Sequence, residues 1–147
     1  MKIAIANDHR GYILKKQVSL YLKEKGYEII DLGTDSEDAV DYPVYAKKMG
    51  EVITSKEVDK GILICGTGIG MSIAANKIKG IRCAKVSNEE EAYLTRLDND
   101  ANVLALSYKI SKEDVEKIID VFISTEASLE ERHIRRRKLI EELENDN

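Results

Sequence analysis

The chain has 147 residues, 43% of them apolar and 34% charged, with one proline, which suits one domain over residues 1–147 with a substantial core. Its net charge of −4 argues against general affinity for nucleic acid or anionic membrane and leaves local basic clusters, such as RHIRRRK near the C-terminus, as candidates for binding anions. No apolar run reaches the roughly 18 residues of a bilayer span, MKIAIANDHR is too short for a secretory signal, and two cysteines with two histidines make neither a disulfide framework nor a zinc site; a cytoplasmic protein with reduced thiols is expected.

Taken in chain order, KIAIA (2–6) predicts a first strand, then the loop NDHRG (7–11) and a helix over 10–25 with Leu14, Val18, Tyr21 and Leu22 on one face. YEIID (27–31) predicts the second strand, and Pro43 suits the first turn of a helix over 43–56. GILIC (61–65) ends in the glycine loop CGTGIG (65–70) and a helix over 69–79. IRCAK (81–85) and NVLAL (102–106) complete five strands, with helices expected at 88–97, 111–124 and 128–144. Gly26 and Gly80 suit helix stops, and Ser111 with Asp114 resembles an N-terminal cap.

Strict alternation of apolar strands with helices predicts an α/β fold: a Rossmann-like three-layer α/β/α sandwich on a five-stranded parallel sheet, with an extra C-terminal helix. Ligands of such sheets bind beyond the carboxyl ends of the strands, so the loops after strands one and three are the expected site. The backbone amides around Gly66, Gly68 and Gly70 could cradle an oxyanion. The spacing is GxGxG on the third strand, with Met71 where a dinucleotide fingerprint has its last glycine, and there is no GK[ST] for a nucleotide phosphate loop.

Cys65 closes strand three against a helix N-terminus, where positive potential favours a thiolate base or nucleophile; the same position also suits a small buried hydrophobe. Cys83 lies within an apolar strand and reads as the latter. Asp8 and His9 face the same crevice, or serve as a cap and a solvated loop residue. In the last helix, at about 100° per residue, Leu129, Ile140 and Leu143 fall within about 60°, with Arg132 and Arg136 in or beside that sector. Two guanidinium forks one turn apart fit a phosphate, or snorkel, or pair internally. Arg135, Arg137 and Lys138 are expected on a solvated face, the last two placed four residues before Glu141 and Glu142. Asp98, Asn99 and Asp100 read as a turn entering the amino end of strand five, opposite Cys65, so they would join the site only from a second subunit.

Together NDHRG, VDYP, GILICGTGIGMSIAANK, IRCAKV, TRLDNDANVLAL and the terminal RH followed by Arg136 resemble the type B ribose-5-phosphate isomerases, which belong with galactose-6-phosphate isomerase subunits to one sugar-phosphate isomerase family. The resemblance runs essentially end to end. It implies a Rossmann-like fold without metal or nucleotide cofactor, and a homodimer or homotetramer whose active sites are shared between subunits. It also implies an aldose–ketose isomerase acting on ribose 5-phosphate through a cis-enediolate. Cys65 would be the base, Thr67 would add a hydroxyl, and the amides of Gly66, Gly68, Ile69 and Gly70 would hold the oxyanion. Asp8, His9 and Asn99 match positions that contact the sugar phosphate, and Arg132 and Arg136 match those that hold the phosphate. The best-known relatives carry histidine, which assists furanose opening, where this chain has Asp98. That departure keeps allose 6-phosphate, galactose 6-phosphate and a noncatalytic sugar-phosphate sensor as alternatives.

Overall fold

The computed structural model describes residues 1–145; the last two residues of the expected 1–147 domain lie outside them. Its strands are β1 (Lys2–Asn7), β2 (Glu28–Asp31), β3 (Lys60–Cys65), β4 (Cys83–Lys85) and β5 (Val103–Ser107). Its helices are α1 (Tyr12–Glu24), entered through a 3₁₀ turn at His9–Gly11, then α2 (Tyr42–Thr54), α3 (Ile69–Asn76), α4 (Glu89–Asn99), α5 (Lys112–Ser124) and α6 (Glu131–Asn145). All strand pairs are parallel, in the order β2-β1-β3-β5-β4. β1 is followed by β2 on one side, and β3 is followed by β4 at the opposite edge with β5 then inserted between them, so the switch point lies between β1 and β3.

Side-chain size alternates along the central strands and sets the two outer layers. Ile3, Ile5, Ile62, Ile64, Leu104 and Leu106 point to the face covered by α1, α4 and α5, where Leu14, Val18, Ile118 and Phe122 meet them. Ala4, Ala6, Leu63, Cys65, Val103 and Ala105 point to the opposite face, where α2 and α3 contribute Ala46, Met49, Met71 and Ala75. Small residues there let the two helices sit close to the strands. Pro43 opens α2, and Ser111 Oγ accepts the Asp114 amide at 3.2 Å, as the sequence predicts.

The Lys15 side chain is 2% exposed, and its ammonium donates to Asp31 at 2.9 Å, Asp35 at 3.0 Å and the Thr34 carbonyl at 2.9 Å, tying α1 to the loop after β2. Burial opposes its charge, but the hydrogen bonds it donates to Asp31 and Asp35 prevail and raise its pKa above the ordinary 10.5. A raised lysine pKa stabilises the fold fully below the unfolded-chain value, and that contribution is lost as pH rises through the folded-state value. Lys15→Met is therefore expected to lower stability by about 1–3 kcal/mol near neutrality. In thermal melts the gap from the parent protein should narrow only above pH 10.5.

Two local expectations are corrected. Asp98 and Asn99 are the last residues of α4 and not a turn, because Asp100 ends the helix at φ 50° while its carboxylate bridges Arg96 at 2.7 Å and Arg82 at 3.3 Å. Leu129 precedes α6 and is 87% exposed, and Ile140 and Leu143 are exposed along a cleft shared with Arg82 and Asn99. Arg137, expected in solvent, instead donates to the Ser128 carbonyl at 2.7 Å and reaches the Asp98 carbonyl at 3.5 Å. The Ser128 carbonyl before the helix and the Asp98 carbonyl in the last turn of α4 hold this cation, whereas a sparse apolar stripe does not order so highly charged a helix.

Candidate active site

The carboxyl ends of β1 and β3 bring Asp8, His9, Cys65, Gly66, Thr67, Gly68, Ile69 and Gly70 together at the switch point. Asp8 continues β1 by donating its amide to the Ile64 carbonyl at 3.0 Å. It is 6% exposed, and Oδ1 accepts the amides of Arg10 at 2.9 Å and Gly11 at 3.1 Å, so it caps the 3₁₀ turn. His9 Nδ1 accepts the Val40 amide at 3.3 Å, so the neutral ring carries its proton on Nε2, free to donate to a ligand.

Cys65, 4% exposed, ends β3 with Sγ accepting the Gly68 amide at 3.1 Å. Gly68 precedes α3 with φ 81°, a backbone conformation that turns its N–H toward the sulfur. Thr67 Oγ1 accepts the Ile69 amide at 3.1 Å, which leaves the hydroxyl proton available to a substrate oxygen. The first-turn amides of α3 complete a positively polarised rim above the thiol. Cys83 is distinct: burial pushes its thiol up to about 12, so it stays protonated and inert at neutral pH.

Two side chains that sequence pattern did not single out also border this rim. The Arg10 side chain lies against Gly66, where an added Cβ would fall 3.0 Å from Nη1. The Tyr42 phenol covers Gly70, where an added Cβ would fall 2.7 Å from Cζ. Both belong to motifs noted above, NDHRG and VDYP, but nothing in a linear spacing reveals that they fold onto the glycine loop.

Asp98, Asn99, Arg132 and Arg136 do not join this cluster within one chain. They gather where α6 crosses the end of α4, on the side of the amino end of β5. Arg132 pairs with Glu130 at 3.0 Å and donates to His133 Nε2 at 3.3 Å, while Arg136 is exposed with no ion pair among the described residues. His133 Nδ1 lies 3.6 Å from Asp98. A cleft of about 430 Å³ beside them is lined by Asn99, Arg82, Ile140 and Leu143. The described residues contain no cluster of three or more histidine, cysteine or carboxylate side chains able to hold a metal, and no helix among them is long and apolar enough to cross a membrane.

Residues 3–140 match the Ribose/Galactose Isomerase family model. Ribose-5-phosphate isomerase B of Escherichia coli is 48% identical over 118 residues, covering 80% of this chain and 79% of that protein. The solved structure of Clostridium thermocellum ribose-5-phosphate isomerase B superposes with a TM-score of 0.96 at 44% identity, covering 99% of each chain. The Mycoplasma genitalium enzyme, solved with bound ribulose-5-phosphate, superposes at 0.92 with 41% identity, over 99% of this chain and 97% of that one. With a glycine loop and thiol at its switch point and relatives matched over nearly its whole length, the chain belongs to the ribose/galactose isomerase family.

Proposed function

We propose that this chain interconverts ribose 5-phosphate and ribulose 5-phosphate as an aldose–ketose isomerase, with Cys65 as the proton-transferring base. The observation that carries the reading is the thiol held at 3.1 Å by the Gly68 amide, on the rim that Asp8 and His9 share. The thiolate removes the proton from C2, the C2–H electron pair forms the C1–C2 double bond, and the aldehyde oxygen becomes an enediolate oxygen. Backbone N–H groups of the loop meet that charge without reorganising. The thiol then returns the proton to C1 while a hydroxyl proton passes from O2 to O1, close to the Thr67 hydroxyl. No atom is gained or lost.

Asp98, Asn99, Arg132 and Arg136 enter this scheme from a second copy of the chain, as does the phosphate grip of the two arginines. Their placement on the opposite side of the sheet supports a homodimer, alone or paired into a tetramer, with shared sites. The exposed Ile69 and Ile73 on α3 suit an interface beside the loop. We place one isomerase domain over residues 1–147 and its work in the cytoplasm, where both free thiols remain reduced.

Coupled assays with ribose 5-phosphate, allose 6-phosphate and galactose 6-phosphate test the substrate. The pentose should give the highest kcat/KM, and a hexose phosphate preferred over it would overturn the assignment. Inactive Cys65→Ala and Arg136→Ala proteins, unfolded and refolded together, should recover about a quarter of parental activity if one site draws on two chains. No recovery, with mixed dimers verified, would place both residues in the same subunit.

A further inference from the structure

The cleft between the start of α1 and the turn from β5 into α5 has a volume of about 710 Å³ and is bordered by His9, Arg10, Tyr108 and Lys112, with Ile13 and Ile110 as its apolar wall. Lys112 is held by Glu116, and Glu37 lines the cleft without pairing to Arg10. Arg10 is exposed and has no ion pair among the described residues, so its guanidinium, unlike the Lys112 ammonium, is a cation without a carboxylate partner. It is not a loosely waving side chain. Its backbone amide is fixed by Asp8, and its side chain rests on Gly66, a position with no Cβ to push it away.

The cleft and the thiol lie on opposite faces of the sheet edge. Cys65 packs with Ala6, Met71 and Ala105 on the α2/α3 face, whereas the cleft is walled by α1 and the start of α5. A ligand whose C1–C2 end meets Cys65 and whose chain passes His9 therefore delivers its far end to Arg10. In a pentose 5-phosphate that end is the phosphate, a dianion suited to a guanidinium fork.

From this geometry we infer that Arg10 is a further phosphate-binding residue, supplied by the same subunit as Cys65 and placed beside His9. It acts in addition to Arg132 and Arg136. The inference rests on the isomerase reading and assigns Arg10 to substrate binding, with no part in proton transfer.

Steady-state kinetics of Arg10→Ala and Arg10→Lys with ribose 5-phosphate, with inorganic phosphate as competing inhibitor, test it. Arg10→Ala should raise KM and the phosphate inhibition constant together, by roughly tenfold or more, with kcat within about threefold of the parent. Arg10→Lys should recover part of the loss, since it keeps the charge but not the fork. Unchanged KM and inhibition constant would overturn the subsite, as would a fall in kcat at constant phosphate affinity. The exposed side chain makes folding of the variants a minor concern, and thermal melts verify it. If the parent protein fails to turn over ribose 5-phosphate, the isomerase reading fails. Calorimetric titration of parent and Arg10→Ala with inorganic phosphate then decides the subsite separately: weaker binding by the variant supports it, and equal binding overturns it.

Discussion

Cys65→Ala is expected to lower kcat for ribose 5-phosphate on the order of 10²–10⁴-fold while leaving substrate binding in place. Without the sulfur the rim offers no ready replacement: Thr67 keeps its proton at neutral pH, Asp8 has Oδ1 committed to two amides, and His9 Nδ1 accepts the Val40 amide. Cys83 cannot substitute, because burial keeps its thiol protonated up to about 12. The measurement that isolates this step is exchange of the C2 hydrogen of ribose 5-phosphate with solvent deuterium. Parent protein should exchange it and the variant should not. Exchange at the parental rate in Cys65→Ala would remove the thiol from the mechanism, whereas binding without exchange in the parent would turn the protein into a sugar-phosphate sensor.

Gly68→Val should be nearly as damaging, for a different reason. The residue has φ 81°, and a Cβ there would fall 3.1 Å from the Leu106 carbonyl carbon and 3.2 Å from the Ala105 carbonyl oxygen, both backbone atoms of β5. Strain of about 1–3 kcal/mol is therefore expected in stability, read as a lowered Tm. The amide that points at Cys65 would also move, and displacement of a positioning group by about 1 Å can cost on the order of 10²-fold in rate. Gly26→Ala provides the control: φ is 90°, but nothing lies within 4 Å of the added carbon. That variant should lose stability alone. Equal kcat in Gly68→Val and parent would show that the Gly68 amide is dispensable to the thiol.

Much of this was legible in the sequence because strands and helices each carry their own period. The runs ending in Asn7, Cys65 and Ser107 became central parallel strands, and the loops carrying Asp8 and Cys65 lie where the order of strands reverses. β4 proved shorter than IRCAK suggests because the Arg82 amide is taken by the Asn102 side chain at 2.9 Å, outside the ladder. The last helix misled for a similar reason. Its facing follows the Ser128 carbonyl just before the helix, which accepts from Arg137 at 2.7 Å, with the Asp98 carbonyl farther off at 3.5 Å, and such acceptors leave no periodic trace in the helix that answers them. Arg10 escaped notice because its value depends on Gly66, 56 positions away, lacking a side chain.

The unequal faces of the sheet have a consequence for how such a protein diverges. On the thiol's face α2 and α3 press closely on alanines and glycines; an added Cβ at Gly61 would collide with Met49, and one at Gly50 would fall 2.5 Å from Ile78. Enlargement there makes Met49 or Ile78 shift, typically at a cost of about 1–3 kcal/mol, so the thiol's surroundings tolerate few larger residues. The face with Arg10, Tyr108 and Lys112 opens into a roomy cleft bounded by surface side chains. If Arg10 grips the phosphate, affinity for phosphorylated ligands can therefore change through substitutions on one side of a single sheet while inheritance preserves the other.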